Sequence, residues 1–190
     1  MFKAKRRTVV TTAAAVFVLL AAALVVTIVT QGKGNASDGN MVAYPVGQRP
    51  AAPEFTATSL TGTPINFASY RGKIVVLNVW GSWCSPCRAE GQTLKYLDEQ
   101  YGPQGVAFLG DDILDTPGNA LPFLKDAGIT YPSVNDASGA IEERLSIASP
   151  INGTPTTLVI DKTGHIAGII EGPVTYPDLT SLLKDAAVTQ

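Results

Sequence analysis

Several segments of the chain have the hydrophobic pattern of strands. Positions 54–67 alternate apolar and polar residues about a Thr-Gly turn, which predicts an antiparallel hairpin. Positions 73–80, KIVVLNVW, are rich in β-branched residues and predict a strand buried on both faces, at the centre of a sheet. GVAFLG at 105–110 predicts a second buried strand. TTLVID and HIAGIIEG, within 156–172, predict another antiparallel hairpin.

Three segments have sequences compatible with helices. One begins near Ser85, directly after the central strand, and ends where Tyr-Gly-Pro follows Gln100. Another begins at about Pro117. The last, at 176–187, is amphipathic and has three leucines on its inner face: Leu179, Leu182 and Leu183. The order strand, helix, strand, helix, hairpin, helix predicts an α/β sandwich around a mixed sheet.

The N-terminal part has the pattern of an export segment followed by a tether. Residues 9–30 carry no charge and as a helix would be about 33 Å long, enough to cross a bilayer. The basic segment 1–8 would stay in the cytoplasm, which places the rest of the chain outside. We favour an uncleaved single-pass anchor in the cell membrane over a signal peptide that is cut near 34–36 and releases a secreted protein. Residues 31–52 predict a flexible linker, and 53–190 the folded domain.

The charge distribution argues against nucleic acid as a partner. The chain has 14 basic and 16 acidic residues, but four of the basic ones lie in the first eight positions. Without those four, 10 basic residues face 16 acidic ones, so the exported part is acidic. Proteins that bind nucleic acid carry the opposite balance.

The sequence WGSWCSPCRAE, residues 80–90, holds both cysteines of the chain. Cys84 is predicted to lie at the N-terminus of the first helix, with Cys87 one turn further on the same face, a separation that suits a disulfide. Free N–H groups and the helix dipole stabilise a thiolate there, and thiol pKa values at such sites fall to roughly 3.5–7.5. Pro86 is tolerated in the first turn. The pattern therefore favours a reactive thiol pair.

Other uses of two cysteines fit the sequence less well. A disulfide that closes two intervening residues restrains little chain, so a purely structural bridge is poorly motivated. Structural zinc needs four ligands, and the chain offers two thiols and one histidine. Covalent haem needs a histidine after the second cysteine, where this chain has Arg88. We therefore expect redox chemistry with neither a metal nor a cofactor.

GKIVVLNVWGSWCSPCRAE and the downstream GTPTTLVIDKTGHI resemble the TlpA/ResA-like branch of the thioredoxin-fold thiol–disulfide oxidoreductases. The resemblance extends from about Pro53 to Ala187. It implies a thioredoxin-like α/β fold, with a central mixed β-sheet flanked by helices and an added N-terminal β-hairpin. It also implies a protein-disulfide oxidoreductase.

The resemblance assigns roles to the residues around the pair. Cys84 would be the exposed nucleophile and Cys87 the resolving thiol. Pro155 would follow a cis peptide bond and pack against the disulfide, and Thr154 would present its backbone to an extended substrate. We expect Trp83 to cover the cysteines as an apolar lid.

The resemblance also raises the question of which acid assists the thiols. Thioredoxin itself has a buried aspartate where this chain has Asn78, whereas this branch supplies an acid after the next strand. Asp115 best fits that position and Asp112 is the alternative; either could carry a proton during exchange, or serve only as a solvated or capping group. Glu90 fits the family, but the following Gly91–Gln92 replaces the usual apolar-Pro pair, which puts the kink of this helix in doubt.

The predicted function is that of a membrane-tethered, extracytoplasmic reductase of protein disulfides. The resemblance implies that its substrate is apocytochrome c, whose Cys-x-x-Cys-His cysteines are reduced before haem attachment, and that a membrane electron donor re-reduces the pair. One alternative is an oxidant that forms disulfides in secreted proteins. Another is a non-catalytic copper or apoprotein binding module, although the single histidine, His165, is predicted to be an isolated surface residue.

Overall fold

The computed structural model describes residues 41–188. The predictions of a basic segment, an apolar anchor and the first part of the linker fall on residues 1–40 and lie outside the described residues. Within 41–188, no helix combines the length and the apolar character needed to span a bilayer.

The described chain forms eight strands and four α-helices. The strands are β1 Met41–Ala43, β2 Thr56–Thr58, β3 Pro64–Asn66, β4 Ile74–Trp80, β5 Val106–Ile113, β6 Ser133–Asp136, β7 Thr156–Ile160 and β8 Ile166–Glu171. The helices are α1 Ser85–Tyr101, α2 Pro117–Ala127, α3 Ala140–Ala148 and α4 Tyr176–Ala187. Short 3-10 turns occupy Phe67–Tyr70 and Gly102–Gln104.

Six strands form one mixed sheet in the order β1-β8-β7-β4-β5-β6, while β2 and β3 form a separate antiparallel hairpin. β4 lies near the middle, parallel to β5 and antiparallel to β7, and all seven of its residues are buried. This confirms the prediction from its β-branched composition, because such a strand must face apolar layers on both sides. The predicted α/β sandwich and its N-terminal hairpin are confirmed.

The two faces of β4 belong to different cores. Val75, Leu77 and Val79 face a core that includes the β2–β3 hairpin and α3. The opposite face carries Ile74 and Val76 into a core formed with α1 and α4, to which α4 contributes the predicted leucines: Leu179, Leu182 and Leu183. The alternation follows from the two-residue repeat of a strand. The last residue on the second face is Trp80, next to the start of α1.

The folded part begins earlier than Pro53, which corrects the predicted extent of the linker. β1 pairs with β8 at the sheet edge, and Ala51 bridges to His165. The buried side chain of Arg49 lies 2.9 Å from a carboxylate oxygen of Asp161 and also donates to the carbonyl oxygens of Asp185 and Val188. Arg49 therefore fastens the N-terminal segment to the β7–β8 turn and to the end of α4. A segment rich in Gly and Pro lacks hydrophobic periodicity, so its pattern alone could not reveal these contacts.

Replacing Arg49 with methionine is expected to lower the free energy of unfolding by about 3–5 kcal/mol, because it leaves the buried Asp161 carboxylate without its cation. Denaturant unfolding of the full-length protein measures the effect. Lys95→Met is the matched control, since Lys95 pairs with Glu99 in an exposed i,i+4 contact worth less than about 1 kcal/mol. Equal losses in the two variants would contradict the proposed role of Arg49.

Gly91 and Gln92 lie within α1 and contact the end of α2. A Cβ at Gly91 would lie 3.3 Å from the Cβ of Ala127, so the glycine permits a close approach of the two helices. Gln92 donates from Nε2 to the carbonyl oxygen of Ala127, at 3.0 Å, at the C-terminal end of α2. α1 runs without interruption from Ser85 to Tyr101. The departure from the family's apolar-Pro pair thus has a packing role.

Candidate active site

The two cysteines lie where β4 gives way to α1. Cys84 is the N-cap of α1, and a disulfide joins it to Cys87 with a Cα–Cα distance of 5.3 Å. The backbone N–H of Cys87 donates to Sγ of Cys84 at 3.2 Å. Pro86 lies in the first turn of the helix, and its side chain is exposed. The predicted placement of a dithiol pair at a helix N-terminus is therefore confirmed.

The expected difference in exposure between the cysteines is absent from the oxidised structure. Cys84 is 3% exposed and Cys87 is 2% exposed. Both belong to a buried apolar cluster at the end of the sheet, formed with these residues: Leu60, Trp80, Ala120, Phe123 and Leu124. Burial therefore does not separate the nucleophile from the resolving thiol. The two thiols differ instead in their positions relative to the N-terminus of α1, where Cys84 is the N-cap and Cys87 lies in the first turn.

The loop before β7 reaches the disulfide. The Thr154–Pro155 peptide bond is cis, as the resemblance implies. The carbonyl oxygen of Thr154 lies 3.6 Å from Sγ of Cys84. Pro155 is buried and Thr154 is half-buried. The structure thus brings together Cys84, Cys87, Thr154 and Pro155, residues separated by about seventy positions in the sequence.

Trp83 does not cover the cysteines as expected, whereas Trp80 lies in the core. Trp83 is 54% exposed, and its indole lies against Gly81, where an added Cβ would come within 2.4 Å of Nε1. The Trp83 Nε1–H donates to the carbonyl oxygen of Ile113 at 3.2 Å. Trp80 instead shares the buried cluster of the cysteines and stacks on Phe123 with ring centroids 4.8 Å apart. The buried apolar cover of the pair is therefore contributed by Trp80, while Trp83 covers the preceding loop.

Asp115 is engaged in hydrogen bonds on both carboxylate oxygens. Oδ2 accepts the backbone N–H of Ser82 at 2.8 Å, while Oδ1 accepts that of Thr116 at 2.7 Å and lies 3.4 Å from Nδ2 of Asn119. Burial raises the pKa of Asp115, but the hydrogen bonds from Ser82, Thr116 and Asn119 outweigh it and hold the pKa below its usual value. A carboxylate held ionised in this way is a poor proton carrier.

Asp112 has the opposite environment. It is fully buried, and neither of its carboxyl oxygens has a hydrogen-bond partner within residues 41–188. Asp112 pairs in register with Trp80 on the neighbouring parallel strand, so the two side chains emerge on the same face of the sheet. Burial and the negative charge of Asp115 raise the pKa of Asp112 to about 8. Of the two predicted candidates, the structure therefore favours Asp112 as the titrating group.

Glu90 is a second buried acid behind the pair. Oε1 accepts from Nδ2 of Asn78 at 3.0 Å, and Oε2 accepts the backbone N–H of Val174 at 2.8 Å. The Asn78 amide also donates to Oγ1 of Thr157, so Asn78 links Glu90 to β7. Burial raises the pKa of Glu90 to about 7 despite these hydrogen bonds.

The position of Glu90 in the sequence already indicates that its side chain is buried. Glu90 lies three residues after Cys87, on the buried stripe of α1 that continues to Leu94 and Leu97. A charged residue on the apolar stripe of an amphipathic helix is rarely found without a role, since burial of an ionised carboxylate is costly. Its position relative to Cys87 places it on the same helix face.

His165 lies at the end of the sheet opposite the cysteines. It follows the β7–β8 turn, where Ile160 pairs with Val75 at the start of β4. Its Nδ1 is 2.8 Å from Oγ1 of Thr163 in an exposed contact, so the histidine belongs to a surface turn, as expected, but has a local partner. It is half-buried because Ala51 bridges to it at the sheet edge.

The buried acids predict how stability depends on pH. An acid with a higher pKa in the folded state than in the unfolded state binds its proton more tightly when folded, so folding loses stability as the pH rises through that interval. The pKa of Glu90 rises from 4.5 to about 7 and that of Asp112 from 3.8 to about 8. The oxidised protein is therefore expected to lose several kcal/mol between pH 4 and pH 8, because each tenfold change in a proton-binding constant is worth about 1.4 kcal/mol.

Denaturant unfolding of the oxidised full-length protein at intervals across that range measures the dependence. Asp112→Asn and Glu90→Gln should each flatten the curve, because each replaces an acid that titrates in the window. A free energy of unfolding that rises from pH 4 to pH 8 would contradict the assignment of both pKa values.

Comparison with known proteins places this arrangement among related sequences. Residues 48–169 match the model of the AhpC/TSA family. The thiol–disulfide oxidoreductase ResA of Geobacillus thermodenitrificans is 35% identical over 133 residues, which cover 70% of this chain and 74% of that protein.

Solved structures share the fold. The crystal structure of a DsbF homologue from Corynebacterium diphtheriae matches with a TM-score of 0.71 and 34% identity, over 79% of this chain and 95% of that one. A secreted thiol-disulfide isomerase from Corynebacterium glutamicum matches with a TM-score of 0.70 and 29% identity, over 81% and 96%. The implied thioredoxin-like α/β fold is confirmed.

Proposed function

The chain belongs to the ResA-like thiol–disulfide oxidoreductases within the AhpC/TSA family, and we propose that its Cys84–Cys87 pair works as a reductant of exported protein disulfides. The substrate proposed is apocytochrome c, at its Cys-x-x-Cys-His motif. A membrane protein that transfers electrons between thiols would return the pair to its dithiol state.

The proposed reaction consists of two thiol–disulfide exchanges. The Cys84 thiolate attacks one sulfur of the substrate disulfide, forming a mixed disulfide and releasing the other substrate sulfur as a thiolate. Cys87 then loses its proton and attacks Sγ of Cys84, which breaks the mixed disulfide. The substrate leaves with two thiols after uptake of two protons, and the pair becomes the disulfide seen in the structure.

Asp112 is the proposed proton carrier for these steps. A general base works best when its pKa lies near the operating pH, and burial together with the Asp115 charge brings the pKa of Asp112 to about 8. Asp112 would accept the proton of Cys87 when the mixed disulfide is resolved. Thr154 and Pro155 would line the site of the extended substrate, and the exposed Trp83 and Pro86 would flank it.

The observation that carries the reducing direction is the weak stabilisation of a thiolate at Cys84. Within the described residues, its sulfur receives one N–H, from Cys87, and no basic side chain is hydrogen-bonded to it. The carbonyl oxygen of Thr154, 3.6 Å from this sulfur, presents partial negative charge to it and disfavours a thiolate there. Strong oxidants of this fold have a stabilised reduced form, so a poorly stabilised thiolate favours electron donation.

The proposed location is outside the cytoplasm, with residues 9–30 as a membrane anchor. Support comes from the uncharged run behind a basic segment and from the solved relative described as secreted. A copper carrier is less well supported, because His165 lies at the far end of the sheet from the two thiols.

Exchange with a model substrate tests the direction. The reduced full-length protein is mixed with an oxidised peptide that contains a Cys-x-x-Cys-His disulfide, and all four redox species are quantified after acid quenching. The proposal expects the peptide to end mainly as the dithiol. An equilibrium in which the protein disulfide instead oxidises the reduced peptide would favour the oxidant, and absence of exchange would favour a binding module.

A further inference from the structure

The loop that leads into Cys84 is held at the backbone of Ser82 by two side chains. The N–H of Ser82 donates to Oδ2 of Asp115 at 2.8 Å, and its carbonyl oxygen accepts from Nη2 of Arg88 at 2.9 Å. Ser82 is 8% exposed and Asp115 is 7% exposed. Both backbone groups of Ser82, its N–H and its carbonyl, therefore bond to charged side chains, which form stronger hydrogen bonds than neutral groups do.

Both charged side chains are themselves anchored. The other carboxylate oxygen of Asp115 accepts the N–H of Thr116 at the start of α2. Arg88 belongs to α1, and its guanidinium carbon lies 5.2 Å from the ring centroid of Phe123 in α2. The backbone of Ser82 is thus tied to both helices that pack around the disulfide.

The neighbouring residues of the loop are fastened as well. The N–H of Cys84 donates to the carbonyl oxygen of Gly81 at 3.0 Å, closing a turn. The Trp83 indole N–H donates to the carbonyl oxygen of Ile113 at the end of β5. These hydrogen bonds leave few backbone torsions free between the end of β4 and Cys84. The loop therefore fixes the position of Sγ of Cys84.

We propose that Asp115 and Arg88 are positioning residues that clamp the backbone of Ser82 and thereby hold Cys84 in place for disulfide closure with Cys87. Closure requires Sγ of Cys87 to reach Sγ of Cys84 along the axis of the bond that breaks. An intramolecular attack owes its high effective molarity to such prior orientation, and a displacement of about 1 Å can cost roughly 10²-fold. The clamp acts in either direction of electron flow.

The clamp is expected to change the equilibrium between disulfide and dithiol, which a purely structural role would leave unchanged. Loss of the clamp lowers the effective molarity of the two thiols toward each other, which makes the disulfide easier to reduce. It also slows attack of Cys87 on the mixed disulfide, so that partners are released later. In this step the Cys84–Cys87 bond forms, the bond to the substrate sulfur breaks, and that sulfur leaves with the electron pair and takes up a proton.

Substitutions at Asp115 separate the hydrogen bond from the charge. Asp115→Asn removes the charge but keeps an oxygen that accepts the Ser82 N–H, whereas Asp115→Ala removes both. Arg88→Met removes the guanidinium donors and keeps an unbranched apolar side chain near Phe123. The readout is the equilibrium of the full-length protein with reduced and oxidised glutathione.

We expect Asp115→Ala and Arg88→Met each to shift this equilibrium about tenfold toward the dithiol, below the 10²-fold cost of a full displacement. Asp115→Asn should stay within about threefold of the wild type on the same scale. Equal shifts for Asp115→Ala and Asp115→Asn would overturn the clamp in favour of an effect of charge. Wild-type equilibria in both Asp115→Ala and Arg88→Met would overturn it altogether, and if Asp115→Ala fails to fold, the result of Arg88→Met decides.

Discussion

A Cys87→Ser protein is expected to accumulate as a covalent complex with its partners through Cys84. After the first exchange, the sulfur of Cys84 is bonded to the substrate. In the wild type, Cys87 breaks that bond by attacking Sγ of Cys84, which it can reach because the two Cα atoms are 5.3 Å apart. Without the second thiol, only an external thiol can resolve the complex, and the loss of an intramolecular nucleophile lengthens its lifetime by orders of magnitude.

The reciprocal Cys84→Ser protein should trap little. Both cysteines are equally buried in the oxidised structure, so the difference between them rests on the helix N-terminus. Cys84 is the N-cap and accepts the N–H of Cys87, an interaction that stabilises its thiolate, while Cys87 lies inside the first turn. Non-reducing electrophoresis of membranes from cells that produce each variant, followed by mass spectrometry, measures the trapped species.

The partners identified in this way distinguish the possible pathways. An apocytochrome c and a multi-spanning membrane donor are the expected species. A collection of unrelated secreted proteins would favour the oxidant, and equal trapping by the two variants would contradict the assignment of nucleophile and resolving thiol.

Replacing Asp112 with asparagine is expected to slow resolution of the mixed disulfide by about 10²-fold near neutral pH, the lower end of the usual range for general acid–base catalysis. The ionised carboxylate is the form that accepts a proton, and the pKa of Asp112 is raised to about 8. In the wild type the rate should therefore rise as the pH approaches 8, and the variant should lose this dependence. Stopped-flow measurement of peptide release across pH 6–9 is the appropriate assay, in a window set by ordinary thiol titration.

Asp111 provides a matched control for this substitution. It is the neighbouring residue on β5, is also fully buried, and has no hydrogen-bond partner for its carboxyl oxygens among the described residues. Burial raises its pKa well above the usual value, with a further contribution from Asp136. Its side chain emerges on the opposite face of the strand, away from Trp80 and the pair. A comparable loss of rate in Asp111→Asn, or a wild-type rate in Asp112→Asn, would remove Asp112 from the mechanism.

The sequence predicted β4 and α1, the strand and helix that flank Cys84, because β4 is a short run rich in β-branched residues and α1 is followed by a Tyr-Gly-Pro stop. The hydrophobic pattern missed β6 and α3, Ser133–Asp136 and Ala140–Ala148. The four residues of β6 are too short a run to show alternation, and α3 has a single fully buried residue, Leu145. Elements with so little apolar periodicity are specified by tertiary contacts.

The candidate site was predictable to the extent that it is encoded by local sequence and family resemblance. The motif places both thiols, and the resemblance supplies Pro155. The choice between Asp112 and Asp115 was not predictable, since it depends on which carboxylate meets the N–H of Ser82, about thirty residues away. The pairing of Asn78 with Glu90 likewise requires β4 and α1 to be packed together.

The midpoint potential of the Cys84–Cys87 pair tests the central claim, that this oxidoreductase is a reductant, most directly. Equilibration of the full-length protein with defined redox buffers, followed by thiol alkylation and mass measurement, gives the value. A weakly stabilised thiolate predicts a potential at or below that of thioredoxin, about −270 mV, and 30 mV corresponds to about a tenfold change in the equilibrium. A potential near the roughly −120 mV of a strong disulfide-forming oxidant would contradict the proposal.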